Sequence, residues 1–108
     1  MSWFHKAEKA GLRSVGAKRR ARRKPFADGT TRGGRPVEVK AARSAGRFRV
    51  GQKAHARMVA TGGLYVFKRG NRTKRLTARR VSRALPRGAW FKDRTYPHKI
   101  ISARRVGL

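Results

Sequence analysis

The sequence predicts a small α+β fold: a β-hairpin followed by a short basic helix, with long extended basic N-terminal and C-terminal arms. Three observations carry that expectation. Two runs that read as strands, AHARMVA at 54–60 and the two-sided LYVFKR at 64–69, stand on either side of Gly62-Gly63. Residues 76–85 place apolar side chains at helical spacing. Positive charge occupies much of the rest: 31 Lys and Arg stand against 4 Asp and Glu in 108 residues, a net charge of +27.

A soluble domain of this size ordinarily carries roughly 2–8 net charges. Leu, Ile, Val and Phe number 5, 2, 8 and 5, or 20 of 108, below the roughly 20% at which a highly charged chain is disordered by itself. Ordering a residue costs ~1–2 kcal/mol of backbone entropy. The composition therefore predicts an isolated chain that is largely unfolded and takes its order from a bound polyanion. The length suits one small domain. With no cysteine, disulfides, thiolate zinc sites and thiol catalysis are excluded. No apolar run approaches the ~18 residues that span a membrane.

Residues 1–36 read as a basic N-terminal extension or arm. Phe4, Ala7, Gly11 and Val15 stand at helical spacing over the first 16 residues, weakened by Gly11 and Gly16. The basic, acid-poor start has two readings, an uncleaved mitochondrial targeting segment or an RNA-binding tail. Residues 17–36 have little to bury and read as an extended arm, with DGTTRGGRP at 28–36 rich in turn formers.

Residues 37–87 read as the RNA-binding core. Val37-Glu38-Val39 and Phe48-Arg49-Val50 are short alternating pieces. In AHARMVA at 54–60, Ala54, Ala56, Met58 and Ala60 would share one strand face, with His55 and Arg57 on the other. In LYVFKR at 64–69, Leu64 and Val66 oppose Tyr65 and Phe67. Two such runs joined by a Gly-Gly pair predict a hairpin, because glycine accepts the positive φ of its turn. The turn Gly70-Asn71 follows. Thr77 is the expected N-cap of a helix with Ala78, Val81 and Leu85 on one face, ended by Pro86. Residues 88–108 form an aromatic and basic C-terminal tail, with Trp90, Phe91, Tyr96, Ile100 and Ile101 for a second small cluster.

Lys68 to Arg87 contains nine Lys and Arg and no acid. A solvated face is the usual meaning of such a run, but nothing nearby neutralises it, which favours nucleic acid. The expected contacts are Lys18, Arg19, Arg20, Arg22, Arg23 and Lys24 in the arm, and Arg57, Lys68, Arg69, Arg72, Lys74, Arg75, Arg79, Arg80, Arg83 and Arg87 in the core. Arginine's planar fork suits phosphate. Charge on every element around a thin core favours folded RNA over duplex DNA. Trp3, Phe4, Tyr65, Phe67, Trp90 and Phe91 can stack on bases or fill the core, and Phe67 reads as core.

No catalytic set emerges from the residues. His5, His55 and His98 lack ligand spacing, and Glu8, Asp28, Glu38 and Asp93 are few and dispersed. The serines have no base partner by motif. The reading is a non-enzyme with no metal, no cofactor and no homo-oligomer.

Thr61-Gly62-Gly63-Leu64-Tyr65-Val66, the basic turn Lys68-Arg69-Gly70-Asn71-Arg72 and Leu76-Thr77-Ala78-Arg79-Arg80 together resemble the large-subunit ribosomal protein thirty-five family of bacteria and organelles. The tail Trp90-Phe91-Lys92-Asp93-Arg94 looks like its mitochondrial branch. The likeness spans about residues 58–94, and HARMVATGG at 55–63 also resembles ribosomal protein thirty-four of the large subunit. Either resemblance implies a structural constituent of the ribosome, binding large-subunit rRNA beside neighbouring ribosomal proteins, in a mitochondrion or alternatively on the cytoplasmic ribosome. A DNA-compacting or viral nucleocapsid-like protein is the other reading of the charge. A cationic membrane-active or secreted protein is disfavoured, lacking disulfides and a long amphipathic helix.

Overall fold

Alternation along residues 36–42 and 64–69 organises the molecule, because each run presents two different faces. The computed structural model describes residues 3–19, 27–42, 46–92 and 96–108. In it β3 (Pro36–Ala42) and β5 (Leu64–Arg69) lie side by side in parallel, with Val37 opposite Leu64, Glu38 opposite Tyr65 and Lys40 opposite Phe67. Around this pair a five-stranded mixed sheet runs in the order β1 (Ala17–Arg19), β2 (Gly29–Thr31), β3, β5, β6 (Arg72–Thr77).

One face of the sheet takes Val37, Val39, Leu64 and Val66 and is covered by α1 (Trp3–Ser14), which buries Ala7, Gly11 and Leu12. Gly11 permits that approach: a Cβ there would lie 2.8 Å from a methyl of Val39. The other face carries Tyr65 and Phe67 into the main core, with Phe48, Val50, Met58, Val81 and Ile101. These come from β4 (Arg47–Gly51), α2 (Gln52–Ala60), α3 (Ala78–Ala84) and β7 (His98–Ser102), with β4 and β7 paired as a separate antiparallel ribbon. A 3-10 turn, Arg104–Val106, adds Val106 to the same core.

This architecture corrects the expected hairpin, helix and arms. Residues 17–19 and 29–31 are sheet strands rather than an extended arm, and the C-terminal segment pairs through β7 instead of trailing away. Residues 54–60 are helical. Gln, Lys, Ala, Arg and Met are strong helix formers, and the run buries His55 and Met58, three residues apart. Gly62-Gly63 stops that helix: Gly62, at φ 66°, donates its N–H to Val59 O at 3.2 Å, and Gly63 donates to Met58 O at 2.6 Å. That is the left-handed C-terminal cap of a helix. The hairpin lies one element later, joining β5 to β6 through Gly70 (φ 59°) and Asn71. The helix after it forms where its residues place it. Thr77 accepts a hydrogen bond from Arg80 N at 3.2 Å, with Ala78, Val81 and Leu85 buried.

The described residues also show why the apolar count understates the core. Ala42, Met58, Tyr65, Ala78 and Ala103 are all buried in it, and none of them is Leu, Ile, Val or Phe. A radius of gyration of 13.0 Å matches a compact chain of about 100 residues. Among the described residues, no helix is long and apolar enough to cross a membrane.

Candidate active site

Strand alternation puts Glu38 and Lys40 on the same face of β3, two residues apart. Asp28, immediately before β2, joins them through the antiparallel pairing of β2 with β3, where Gly29 stands opposite Val37. Asp28 N donates to Val37 O at 2.8 Å, and Val39 N donates to Asp28 Oδ2 at 2.7 Å. The carboxylate is thus clamped by the backbone of the strand that carries Glu38. Ala27, just before it, has φ 67°, a left-handed conformation that costs a non-glycine residue roughly 1–2 kcal/mol. Strain of that kind gathers at functional sites.

The three side chains open onto one cleft of about 850 Å³, whose far wall includes Lys53 and Arg57 of α2 and, after α3, Tyr96. Burial pushes the Glu38 carboxyl up to about 8; Lys40 draws it down, while the charge of Asp28 and a hydrogen bond between the two carboxyls raise it again. A half-buried carboxyl next to a second one keeps its proton unless a cation replaces it.

Behind this pair lies a polar chain that runs from the buried Tyr65 and His55 out to Ser82. Tyr65, beside Glu38 in the sheet, has its hydroxyl 2.9 Å from His55 Nδ1, and His55 Nε2 lies 2.6 Å from Ser82 Oγ. Burial raises the Tyr65 hydroxyl, with the Glu38 charge acting the same way, and burial lowers His55. Both groups therefore stand neutral at pH 7.

The residues expected to contact nucleic acid are spread more widely. Arg57 is in the cleft. Lys18 lies on β1, in a groove against α1 that also holds Glu8 and His5. Arg19 ends β1, and Arg20, Arg22, Arg23 and Lys24 fall outside the described residues. Lys68 and Arg69 end β5, where Lys68 Nζ donates to Thr73 Oγ1 at 3.1 Å. Arg72, Lys74 and Arg75 are exposed on β6, Arg79, Arg80 and Arg83 on α3, and Arg87 just beyond it. The structure brings together Arg57 and four residues absent from that set: Asp28, Glu38, Lys40 and Lys53. Their signal was present in the sequence as an acid-x-Lys triplet, Glu38-Val39-Lys40, on an alternating strand with an acid ten residues earlier.

Two oxygen-donor carboxylates side by side suit a hard divalent cation. Magnesium is commonly held by one or two carboxylates, with water and substrate phosphates completing its octahedron. Among the described residues no group of three or more His, Cys, Asp and Glu converges. The site thus fits a cation shared with substrate better than a closed structural metal.

No curated protein sequence matches the chain. A family profile described as a PD-(D/E)XK nuclease superfamily domain matches residues 3–99. Glu38-Val39-Lys40 has the acid-x-Lys pattern in that name, and Asp28 can stand for its aspartate, although Ala27 rather than Pro precedes it. This finding overturns the ribosomal identification, the structural role that followed from it, and the rRNA and ribosomal-protein partners. The expectation of a non-enzyme falls too, since the family is one of nucleases. Short basic motifs matched ribosomal proteins because arginine-rich strands and turns recur wherever a chain meets phosphate.

Proposed function

Because this chain belongs to the PD-(D/E)XK nuclease superfamily, we propose that it is a metal-dependent nuclease acting on a phosphodiester in the cleft of Asp28, Glu38 and Lys40. The observation that carries this reading is the convergence of those three side chains in a cleft walled by Lys53 and Arg57. Asp28 and Glu38 would hold a divalent cation. Such an ion, when bound, polarises a phosphoryl oxygen and makes water a better nucleophile. Asp28 enters this role with one oxygen already fixed by Val39 N, so its direction is set before substrate arrives. Glu38 would give up its proton to hold such an ion, because burial otherwise keeps its carboxyl protonated near neutrality. Lys40 supplies a compact ammonium with three donors, suited to hold a phosphate oxygen and to offset charge that builds up in the transition state. Lys53 and Arg57 neutralise flanking phosphates.

The test is cleavage of labelled DNA and RNA in magnesium and in a chelator. Lys40→Met is expected to lower the rate about 10²–10³-fold, the scale for removing one preorganised donor. Asp28→Asn and Glu38→Gln should lose at least as much while retaining nucleic-acid binding. Full activity in chelator, or in Glu38→Gln, would overturn the assignment.

A further inference from the structure

We propose that Tyr96 is a stacking subsite for one unpaired base at the mouth of the cleft, so that the favoured substrate carries an unpaired nucleotide beside the phosphate to be cut. The proposal rests on the nuclease reading for the cutting, but not for the binding.

Tyr96 lines the same cleft as Asp28, Glu38 and Lys40 and remains 46% exposed. Its ring is nevertheless held. Gly51 has no side chain, and a Cβ there would lie 3.1 Å from Tyr96 Cε2, so the ring rests on the backbone at the end of β4. The His98 ring meets it edge-on at 5.9 Å and 70°. His98 is itself buried, and its Nδ1 lies 3.1 Å from Tyr96 O, where it donates to that carbonyl. The Arg49 guanidinium stands 6.0 Å from the ring centroid.

A large aromatic surface left nearly half exposed gains nothing from water, and a phosphate has no use for a π face. What the ring can take is a base. Within a continuous duplex each base is already stacked above and below, so a side chain at the groove meets base edges and phosphates. A face becomes available only where a nucleotide is unpaired or turned out of the helix. Base–aromatic stacking is sequence-tolerant, since every base has such a face. Because Gly51 and His98 fix the ring beforehand, little ordering entropy is lost on binding. Cations stand near it: Lys53 and Arg57 line the same cleft, and Arg49 lies by the ring. They would hold the phosphates that flank the stacked base.

The experiment measures metal-free affinity for three labelled DNAs: a continuous duplex, the same duplex with one unpaired nucleotide, and that duplex with an abasic residue at the unpaired position. The abasic probe keeps the flexibility and the phosphate and removes only the base. Wild-type protein is expected to bind the base-containing probe roughly 5- to 150-fold more tightly than the abasic one, the range of a single stack. Tyr96→Leu and Tyr96→Ala should bring that ratio close to one, and Tyr96→Phe should keep it. A wild-type ratio near one overturns the subsite without reference to any variant, and so does an unchanged ratio in folded Tyr96→Leu. Cleavage in magnesium, run in parallel, separates the two readings. Cleavage indifferent to the base removes the subsite alone, whereas base-dependent binding with no cleavage removes the nuclease reading alone.

Discussion

Burial holds a proton on Glu38 that an ordinary glutamate would have lost, and this makes the metal-free protein sensitive to pH. Its folded value of about 8 lies above the usual 4.5, so across that window the folded chain keeps a proton that the unfolded chain has released. The stabilisation is complete below 4.5 and is lost as pH rises toward 8. His55 acts in the opposite sense. Its value is lowered from 6.5 by burial, so the unfolded chain takes up the proton first and stability falls as pH drops below 6.5. Above 6.5 only the Glu38 slope remains of the two. The Tm of metal-free protein should therefore decline from pH 6.5 to 8, and Glu38→Gln should flatten that decline. Magnesium should raise Tm more at pH 8 than at pH 6, because loading displaces the proton. An equal slope in Glu38→Gln would mean that this carboxyl is not the buried proton carrier. None of this was legible from the residue types alone: Glu38 differs from Glu8 only by what surrounds it.

At the scale of elements, residues 52–63 show how one pattern supports two structures. Small and long-chain residues alternate there, which satisfies a strand template, yet Ala, Gln, Lys, Arg and Met lose little rotamer freedom in a helix. Within 52–60 no β-branched residue but Val59 argues for a strand. What decides is burial, since β3 and β5 pair directly and leave no strand position between them. Gly62 then serves a helix end. Its would-be Cβ meets nothing within 4 Å, so only its φ of 66° opposes substitution. Gly62→Ala is expected to destabilise the protein by about 1 kcal/mol, read from urea unfolding. A neutral result would show that the left-handed cap is dispensable. By contrast α3 was legible because its determinants are local: Thr77 caps, Val81 and Leu85 bury, and Pro86 cannot continue. The long-range pairing of β7 with β4 had no local signal to announce it.

Across the whole molecule, +27 of net charge repels itself in the compact state. Raising ionic strength toward 0.15 M shortens the screening length to ~8 Å, so the Tm of the free chain should rise with salt while nucleic-acid affinity falls. A Tm that drops over the same range would place the repulsion elsewhere than in the folded state. The affinity should fall with a log–log slope of about 0.9 per phosphate contacted on duplex DNA. Replacing Arg79, Arg80 and Arg83 by Gln should lower that slope by roughly 2–3 if α3 lies within the footprint; an unchanged slope would confine binding to the cleft.

Composition by itself determined that the chain attracts polyanions, +27 of net charge being enough for that, because Coulomb attraction depends on the number and sign of charges more than on their order. The sequence also determined the amphipathic face of α3 and the two-sided run at 64–67, since those depend on spacings of a few residues. The tertiary structure decided the chemistry. Asp28 and Glu38 are ten residues apart in a chain with two other acids, and nothing in their spacing requires contact. They meet because Gly29 pairs with Val37, and Glu38 keeps its proton because α2 and the ribbon of β4 and β7 close over that face of the sheet. Register and burial are properties of the packed whole, and the charge state of a carboxylate follows from them.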